Sequence, residues 1–586
     1  MLRIYSKARF RSVLRPTQRA FCESAFEAVV ASDGNISFSE FPISLLQASD
    51  STLYLDPICL QMDQSLLKCG TPEELLTMLT THRGVLFVHN LVTALSLLAD
   101  MSQESIPFSK AQKFKYPGQL ERVDRDRLLS DPRYVLLIRD LLEKAPYLDL
   151  ESIRKIMADM RKLDHCHFQL FGALLRRVYS VDLGQSDIAT AVSIGQDFEW
   201  AGFSKAQSFY GRLSDLVEKD AHNLSKKDSL NALLMFSRLG KLYPSVMDRL
   251  VGMLPYQTQC MTERELGISA IAASEFGAAV PTAPAGIASI ANELMSRENM
   301  FKSGNVRHWI RVGIALRRVN VMNSNFLNAL WIRSLQELRA CAQQRERMEP
   351  SISSISDLGS MVESCAYFGQ GSASDLTDVI FPHLMDHLDI VTEETAIRIL
   401  FGAAMFPASV TPRSAPTISL LIRKVASATD SWEKHKLKIF SIWITKIMQF
   451  DFVDSEFRKL VIDSSLSHYL IARRGYGVPY PEDSLPLFEA FKMASEDAAC
   501  GEVLFNEWIP DSPFNADILI PEMRIAILVL SRFSIEGNPV GSDLLEIKNV
   551  ESLGWKVLPI DRKKLRENFS LAKDSLLTHT YRSAPS

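Results

Sequence analysis

The chain contains no Cys-x-x-Cys pair, no apolar run long enough to cross a bilayer, and no acidic residue among its first 21 positions. Each absence excludes something. Eight cysteines scattered over 586 residues without close spacing are neither a zinc ribbon nor a disulfide framework, which leaves reduced thiols in a core. The longest uncharged stretch, from Phe276 to Asn292, carries Pro281 and Pro284 and falls short of a membrane helix. His165, Cys166 and His167 are adjacent, and three neighbours on a helix point in three directions, so no metal site is expected from them. No Walker loop, G-x-S-x-G, H-E-x-x-H or kinase set occurs. No cofactor and no catalytic residue are expected, and enzyme is the weaker class.

The missing acid at the start is informative. Residues 1–21 hold Arg3, Lys7, Arg9, Arg11, Arg15 and Arg19 among Leu, Ile, Phe and Val, the composition of a mitochondrial presequence ending near Phe21. A secretory signal would need an apolar stretch that these arginines interrupt. A basic arm that binds RNA is the other reading. Removal of the segment would take the net charge from -4 to about -10, so nucleic acid would gain no general attraction and would need a local basic patch.

What is present is a globular composition, 47% hydrophobic and 23% charged, in a chain long enough for two or more domains or an elongated repeat array. Between about residues 150 and 410 a large apolar residue is repeatedly followed by a small or helix-ending one. The pairs are Leu163-Asp164, Trp200-Ala201, Leu239-Gly240, Phe276-Gly277, Val319-Asn320, Phe368-Gly369 and Phe406-Pro407, with steps of 37, 39, 37, 43, 49 and 38 residues. Gly, Asn or Pro after the last periodic residue stops a helix, and the preceding side chain packs under the stop. Second helices follow in place, such as "PSVMDRLVGML" and "ISLLIRKVAS". Amphipathic pairs at this period predict an α-solenoid of helical hairpins; an irregular helical domain with chance spacing is the alternative.

Ahead of the repeats, Thr71 to Glu74 reads as a capped helix start, with a second helix after Gly84, and residues 102–132 read as a loop. "GQGSAS" at Gly369 follows a helix rather than a strand and is therefore a helix stop, not a phosphate cradle. "RRGYGVPYPEDSLP" marks a boundary after residue 470. The expected organisation is a presequence at 1–21, an N-terminal helical region at 22–140, helical repeats at 141–470, and a small α/β domain at 484–586 with its core at 514–573.

That last domain reads as strand "NADILIP", strand "RIAILVL", helix "GSDLLEIKNVESLG", strand "WKVLPID" and helix "RKKLREN". This β-β-α-β-α order resembles restriction-endonuclease-like cores, and Asp517, Arg524-Ile525-Ala526-Ile527, Lys548, Leu553-Gly554-Trp555-Lys556-Val557 and Ile560 resemble a RAP domain over Phe514 to about Lys573. Chains of this resemblance include the FAST kinase-like and the octotricopeptide and heptatricopeptide repeat proteins. The resemblance implies a mitochondrial matrix protein acting in the processing, stability or translation of mitochondrial mRNA or rRNA. The alternative is a structural subunit or assembly factor among mitochondrial ribosome proteins. A nuclease of this fold class needs carboxylates on both of the first two strands. Asp517 is present, but Leu528 occupies the second acidic position and Leu530 and Ser531 follow it, so hydrolysis is not expected.

An RNA contact is predicted at "VRHWIRVGIALRRVN". Arg307, Arg311 and Arg318 share one face of a helix, opposite Trp309, Val312, Leu316 and Val319, and no acid occurs between Val306 and Gln336. Guanidinium suits phosphate through its fork and unstacked bases through its plane. The competing reading is a solvated face, or salt bridges to the neighbouring repeat.

Overall fold

The computed structural model describes residues 57–102, 125–183, 187–297, 305–343, 352–426, 485–498, 502–510, 512, 514–570, 573–574 and 576–577. The basic start at 1–21 and the boundary stretch at 473–484 lie outside these residues. The chain is mainly helical, with a small four-stranded sheet near its C-terminal end, and it divides into two compact units, Met1–Leu250 and Val251–Ser586.

In the first unit, helices α1 (Val88–Met101), α2 (Leu150–Lys162), α3 (Ile188–Trp200) and α4 (Lys226–Arg238) pack side by side in chain order. Helices Pro132–Lys144, Phe168–Ser180 and Gln207–Asp220 run between them in the sequence. Asp149, Asp187 and Ser225 start α2, α3 and α4 by accepting the N–H of Ser152, Ala189 and Asp228, which satisfies donors that have no partner within the first turn. Thr71 does the same for Glu74 ahead of helix Pro72–Thr81, as the sequence predicts. The stretch read as a loop is not wholly one: helix Arg125–Ser130 forms there, anchored by the buried Leu128.

The stops recur as one device. Asp164, Gly202, Gly240, Gly277, Asn320 and Gly369 take φ of 49°, 89°, 83°, 54°, 56° and 71°, the left-handed region open to Gly and tolerated by Asn and Asp. After four of them the next N–H reaches back five residues, from His165 to Met160, Phe203 to Phe198, Val321 to Leu316 and Gln370 to Cys365, at 2.9 to 3.0 Å. Two details depart from expectation. At the second stop Gly202, one residue beyond Ala201, takes the left-handed turn. At Phe406-Pro407 no left-handed residue appears, and Pro407 instead opens the 3-10 turn Pro407–Ser409.

In the second unit, α5 (Glu263–Ser274), α6 (Val306–Arg318), α7 (Ile352–Tyr367), α8 (Glu393–Met405) and α9 (Ala415–Ala426) likewise pack in succession. In both units a cation from a later helix closes the carbonyl end of an earlier one. Arg177 donates to Leu148 O at 2.8 Å, and Arg212 to Tyr179 O and Val181 O. Arg297 donates to Met261 O and Thr258 O at 2.6 and 2.7 Å, and Lys424 to Leu388 O and Val391 O, both at 2.5 Å. Cations suit that end because the exposed carbonyls carry the negative end of the helix dipole.

After α10 (Leu485–Ala498), strands β1 (Leu504–Trp508), β2 (Asn515–Ile520), β3 (Ile525–Leu530) and β4 (Lys556–Asp561) form a sheet in that order. The first two pairings are antiparallel. The third is parallel, because α11 (Gly541–Ser552) carries the chain across before β4, and α12 (Arg562–Glu567) follows. Ile518, Ile520, Ile525, Ile527 and Val529 pack one face of the sheet with Leu487 and Phe491 of α10 and Leu565 of α12. The expected β-β-α-β-α order is present. β1 was not read from the sequence, since "LFNEW" is short, half polar, and interrupted by Asn506 at φ 50°.

This small region packs onto the second unit's helix stops. α11 lies against α7 and α8, and Asn549 Nδ2 donates to Ala404 O at 3.3 Å. Lys548 Nζ stands 4.9 Å from the centre of the Phe406 ring. Ile535 N–H donates to Asn320 O at 3.1 Å. Gly541 meets Tyr367 so closely that a Cβ there would lie 2.4 Å from Tyr367 Cε2, while a Cβ on Gly369 would lie 3.2 Å from Leu544 Cδ2. Three successive stops, at Asn320, Gly369 and Phe406, therefore form the seat of the sheet domain.

Candidate nucleic-acid interface

Helix α6 starts at Asn305, whose side chain accepts the Arg307 N–H at 2.9 Å. Its apolar side is buried as predicted: Trp309, Val312, Leu316 and Val319 are all in the core, and Trp309 stacks on Phe326 with ring centres 5.2 Å apart. The helix lies between α5 and α7, so the arginine face is flanked by both neighbours.

Those neighbours supply acids that the local sequence lacks. Arg307 Nε meets Asp357 of α7 at 3.0 Å, and Arg318 Nη1 meets Glu275, just past α5, at 2.7 Å and Ser274 Oγ at 3.3 Å. Arg317 pairs with Glu363, which also faces Arg398 at 3.4 Å. In the first unit, Lys162 meets Asp100, Arg161 meets Asp197 and Arg238 meets Glu199, each at 3.1 Å. Positive charge on the stacked helices is thus matched, step by step, by acid from an adjacent helix. Where both partners are exposed, as in Lys162–Asp100, such a pair contributes roughly 0 to 1 kcal/mol, whereas the Asp197 carboxylate that meets Arg161 is buried.

One place on α6 is more basic than this pattern. Gly267 of α5 faces the α6 backbone, where a Cβ would lie 2.9 Å from His308 O and 3.2 Å from His308 Cα. Arg264, one turn earlier on α5, acts electrostatically on His308 across that crossing, as do Arg307 and Arg311 of α6 itself. Burial pushes the His308 imidazole pKa down first, and the Arg311, Arg264 and Arg307 guanidinium groups push it down further. Asp357 is held up by burial against the pull of Arg307, Arg311 and Arg398. Arg264, Arg307 and Arg311 thus all bear on His308, whereas Arg318 is tied to Glu275. Arg264 was not identified from the sequence. Its signal, a glycine at i+3 that permits close helix contact, carries no indication of which helix comes near.

In the sheet domain, the β2/β3 register that pairs Ile518 with Ile527 puts Leu528 opposite Asp517. Asp517 Oδ2 accepts the Val529 N–H at 2.7 Å and so completes the sheet pairing where the ladder ends. Leu528 is buried. Lys548, the lysine nearest in the motif, sits over Phe406 and not beside Asp517, and its burial lowers its pKa. Trp555 is buried, after the left-handed Gly554 that ends α11.

His165, Cys166 and His167 lie in the loop between α2 and helix Phe168–Ser180, and each has separate contacts. His165 Nδ1 lies 2.8 Å from the Tyr134 hydroxyl, Cys166 Sγ is 3.5 Å from Ala201 O, and His167 accepts the Leu170 N–H. Among the described residues no group of three or more His, Cys, Asp or Glu is placed to hold a metal ion, and Cys59, Cys69 and Cys365 are buried free thiols. No helix among them is long and apolar enough to cross a membrane. No protein-family model matches the chain, and no curated protein matches it.

Proposed function

We propose that the protein is a non-enzymatic RNA-binding protein of the mitochondrial matrix, acting in the processing, stability or translation of mitochondrial transcripts. In this reading the helices are an α-solenoid and the C-terminal region is a restriction-endonuclease-like domain of RAP type. The observation that carries it is the union of two features: helices that pack in succession with a repeated left-handed stop, and an α/β domain with Leu528 of β3 across from the β2 carboxylate, Asp517. The basic, acid-free start at residues 1–21 supports the location. The α6 arginines support the ligand, since guanidinium groups on a stacked helical face suit a single strand.

A second reading, a structural subunit or assembly factor of the mitochondrial ribosome, is favoured by the acids that neutralise Arg307, Arg317 and Arg318. The test is ultraviolet crosslinking in isolated mitochondria, followed by sequencing of the attached RNA and gradient sedimentation. Crosslinks to a defined mRNA or to rRNA outside ribosomal fractions support RNA binding in its own right. Recovery only with ribosomal particles supports the second reading, and recovery from the matrix with no crosslinked RNA refutes the first.

A further inference from the structure

Lys548 of α11 stands where the sheet domain meets the helix stops, and its amine is placed unlike those of other lysines packed against helices. Lys162 meets Asp100 and Asp159 at 3.1 and 2.8 Å, and Lys424 donates to the carbonyls of Leu388 and Val391. Lys548 Nζ has no hydrogen-bond or ion-pair partner among the described residues. It lies 4.9 Å from the centre of the Phe406 ring, and a Cβ on Gly369 would stand 3.3 Å from Nζ and 3.7 Å from Cε. The bare Gly369 thus makes room for the amine, and the ring covers it. Lys548 is half-buried, but Nζ itself keeps some contact with solvent. An ammonium has three donors, and no carboxylate or carbonyl meets them here, so the charged form loses hydration without replacement. Burial accordingly lowers the Lys548 pKa, against the pull of Glu551, three residues on along α11. The Phe406 face also favours the cation, but it restores none of the lost hydrogen bonds.

We propose that Lys548 Nζ is a modification site, acylated by small acyl thioesters ahead of the exposed lysines of the same chain. The neutral amine attacks the thioester carbonyl with its lone pair, the carbon–sulfur bond breaks, and the thiolate leaves. The proton that the amine sheds goes to solvent or to the thiolate, so the products are a lysine amide and a free thiol. Only an unprotonated amine carries the lone pair, which is why a half-buried amine without an acid reacts while a hydrated lysine waits as ammonium. The position also suits the product. An amide is planar and uncharged, so it lies against the Phe406 face and Leu544 without needing the hydration that the ammonium lacks there. A small acyl group is specified because Gly369 and Phe406 crowd the amine. Acylation removes a charge from the surface by which α11 rests on the stops, so it acts on the seat of the sheet domain. The inference does not depend on the RNA-binding reading.

The experiment treats the full-length protein with acetyl-coenzyme A and follows acetylation of each lysine by peptide mass spectrometry from pH 7 to pH 10. Lys563 of α12, 82% exposed, is the internal reference. In the folded protein at pH 7, Lys548 is expected to react about threefold or more faster than Lys563. The ratio should fall toward one as the pH approaches 10, where the exposed amine loses its proton too. In urea the two lysines should react within about twofold of each other at every pH, since both are then hydrated. Lys548→Arg should abolish the acetylated peptide and leave the Lys563 rate unchanged, which assigns the signal. A ratio of one or less in the folded protein at pH 7 overturns the proposal. So does a ratio that stays constant with pH or persists in urea, because the preference would then come from the neighbouring sequence and not from the seat.

Discussion

Replacing Gly541 by alanine tests whether the sheet domain is seated on the helix stops. Gly541 has φ of 61°, and a residue with a Cβ loses roughly 1 to 2 kcal/mol in that region. The new methyl would stand 2.4 Å from Tyr367 Cε2 and 3.0 Å from Cδ2 and Cζ. Tyr367 resists moving aside, because its hydroxyl is held by Asn320 Oδ1 at 2.7 Å. Overpacking of this kind costs about 1 to 3 kcal/mol, so the total is roughly 2 to 5 kcal/mol. The assay is a double-mutant cycle in urea with Tyr367→Ala. Removing the ring should abolish the clash and leave the backbone strain, giving a coupling of about 1 to 3 kcal/mol. Limited proteolysis of Gly541→Ala should cut first between the helices and β1. A loss below about 0.5 kcal/mol, or a coupling near zero, would show that α11 does not rest on Tyr367.

Asp197 makes stability depend on pH. Burial raises its carboxyl to about 6 against an ordinary 3.8, with Arg161 offsetting part of the rise. A raised folded pKa contributes stability that is complete below the unfolded value near 3.8 and lost as pH climbs through about 6. That loss amounts to about 3 kcal/mol. The stability of Asp197→Asn minus that of wild type should therefore increase by that amount from pH 4 to 7.5 in urea titrations, and a flat difference would show the carboxyl to be hydrated. The full-length protein should not cleave RNA or DNA with Mg²⁺ or Mn²⁺; cleavage abolished by Asp517→Ala would mean that Leu528 does not disable the sheet. Trp555→Ala should cost ~3 to 5 kcal/mol, the range for emptying a buried indole, and a melt matching wild type would contradict that. N-terminal sequencing of the matrix protein should begin close to Cys22, and a start at Met1 would remove the argument for import.

Much of the helical pattern was legible because it is written locally. A left-handed stop admits few residue types, so Asp164, Gly240, Gly277, Asn320 and Gly369 stand out in the sequence as they do in the backbone. Caps such as Thr71 and Ser225 are equally local. The arginine face was half legible. Its apolar side and the arginines followed from helical spacing, but the acids meeting Arg318 and Arg307 come from residues 43 and 50 positions away, on helices that only packing identifies. Arg264 was hidden for the same reason, and β1 because Asn506, at φ 50°, and Glu507 interrupt the apolar run that marks a strand.

The cations that close the preceding helix ends give the chain a direction in time. Until Arg212 arrives, Tyr179 O and Val181 O lack the donors that the finished fold provides. The same holds for Thr258 O and Met261 O before Arg297, and for Leu388 O and Val391 O before Lys424. In a chain emerging from a ribosome in N-to-C order, each of these carbonyl ends would stay bare until the next few dozen residues come through. At these places maturation then advances like a ratchet, the later cation locking the earlier helix end. A pause after residue 260 but before Arg297 would expose that end to chaperones and proteases, so the rate at which the chain is delivered becomes part of how well it folds.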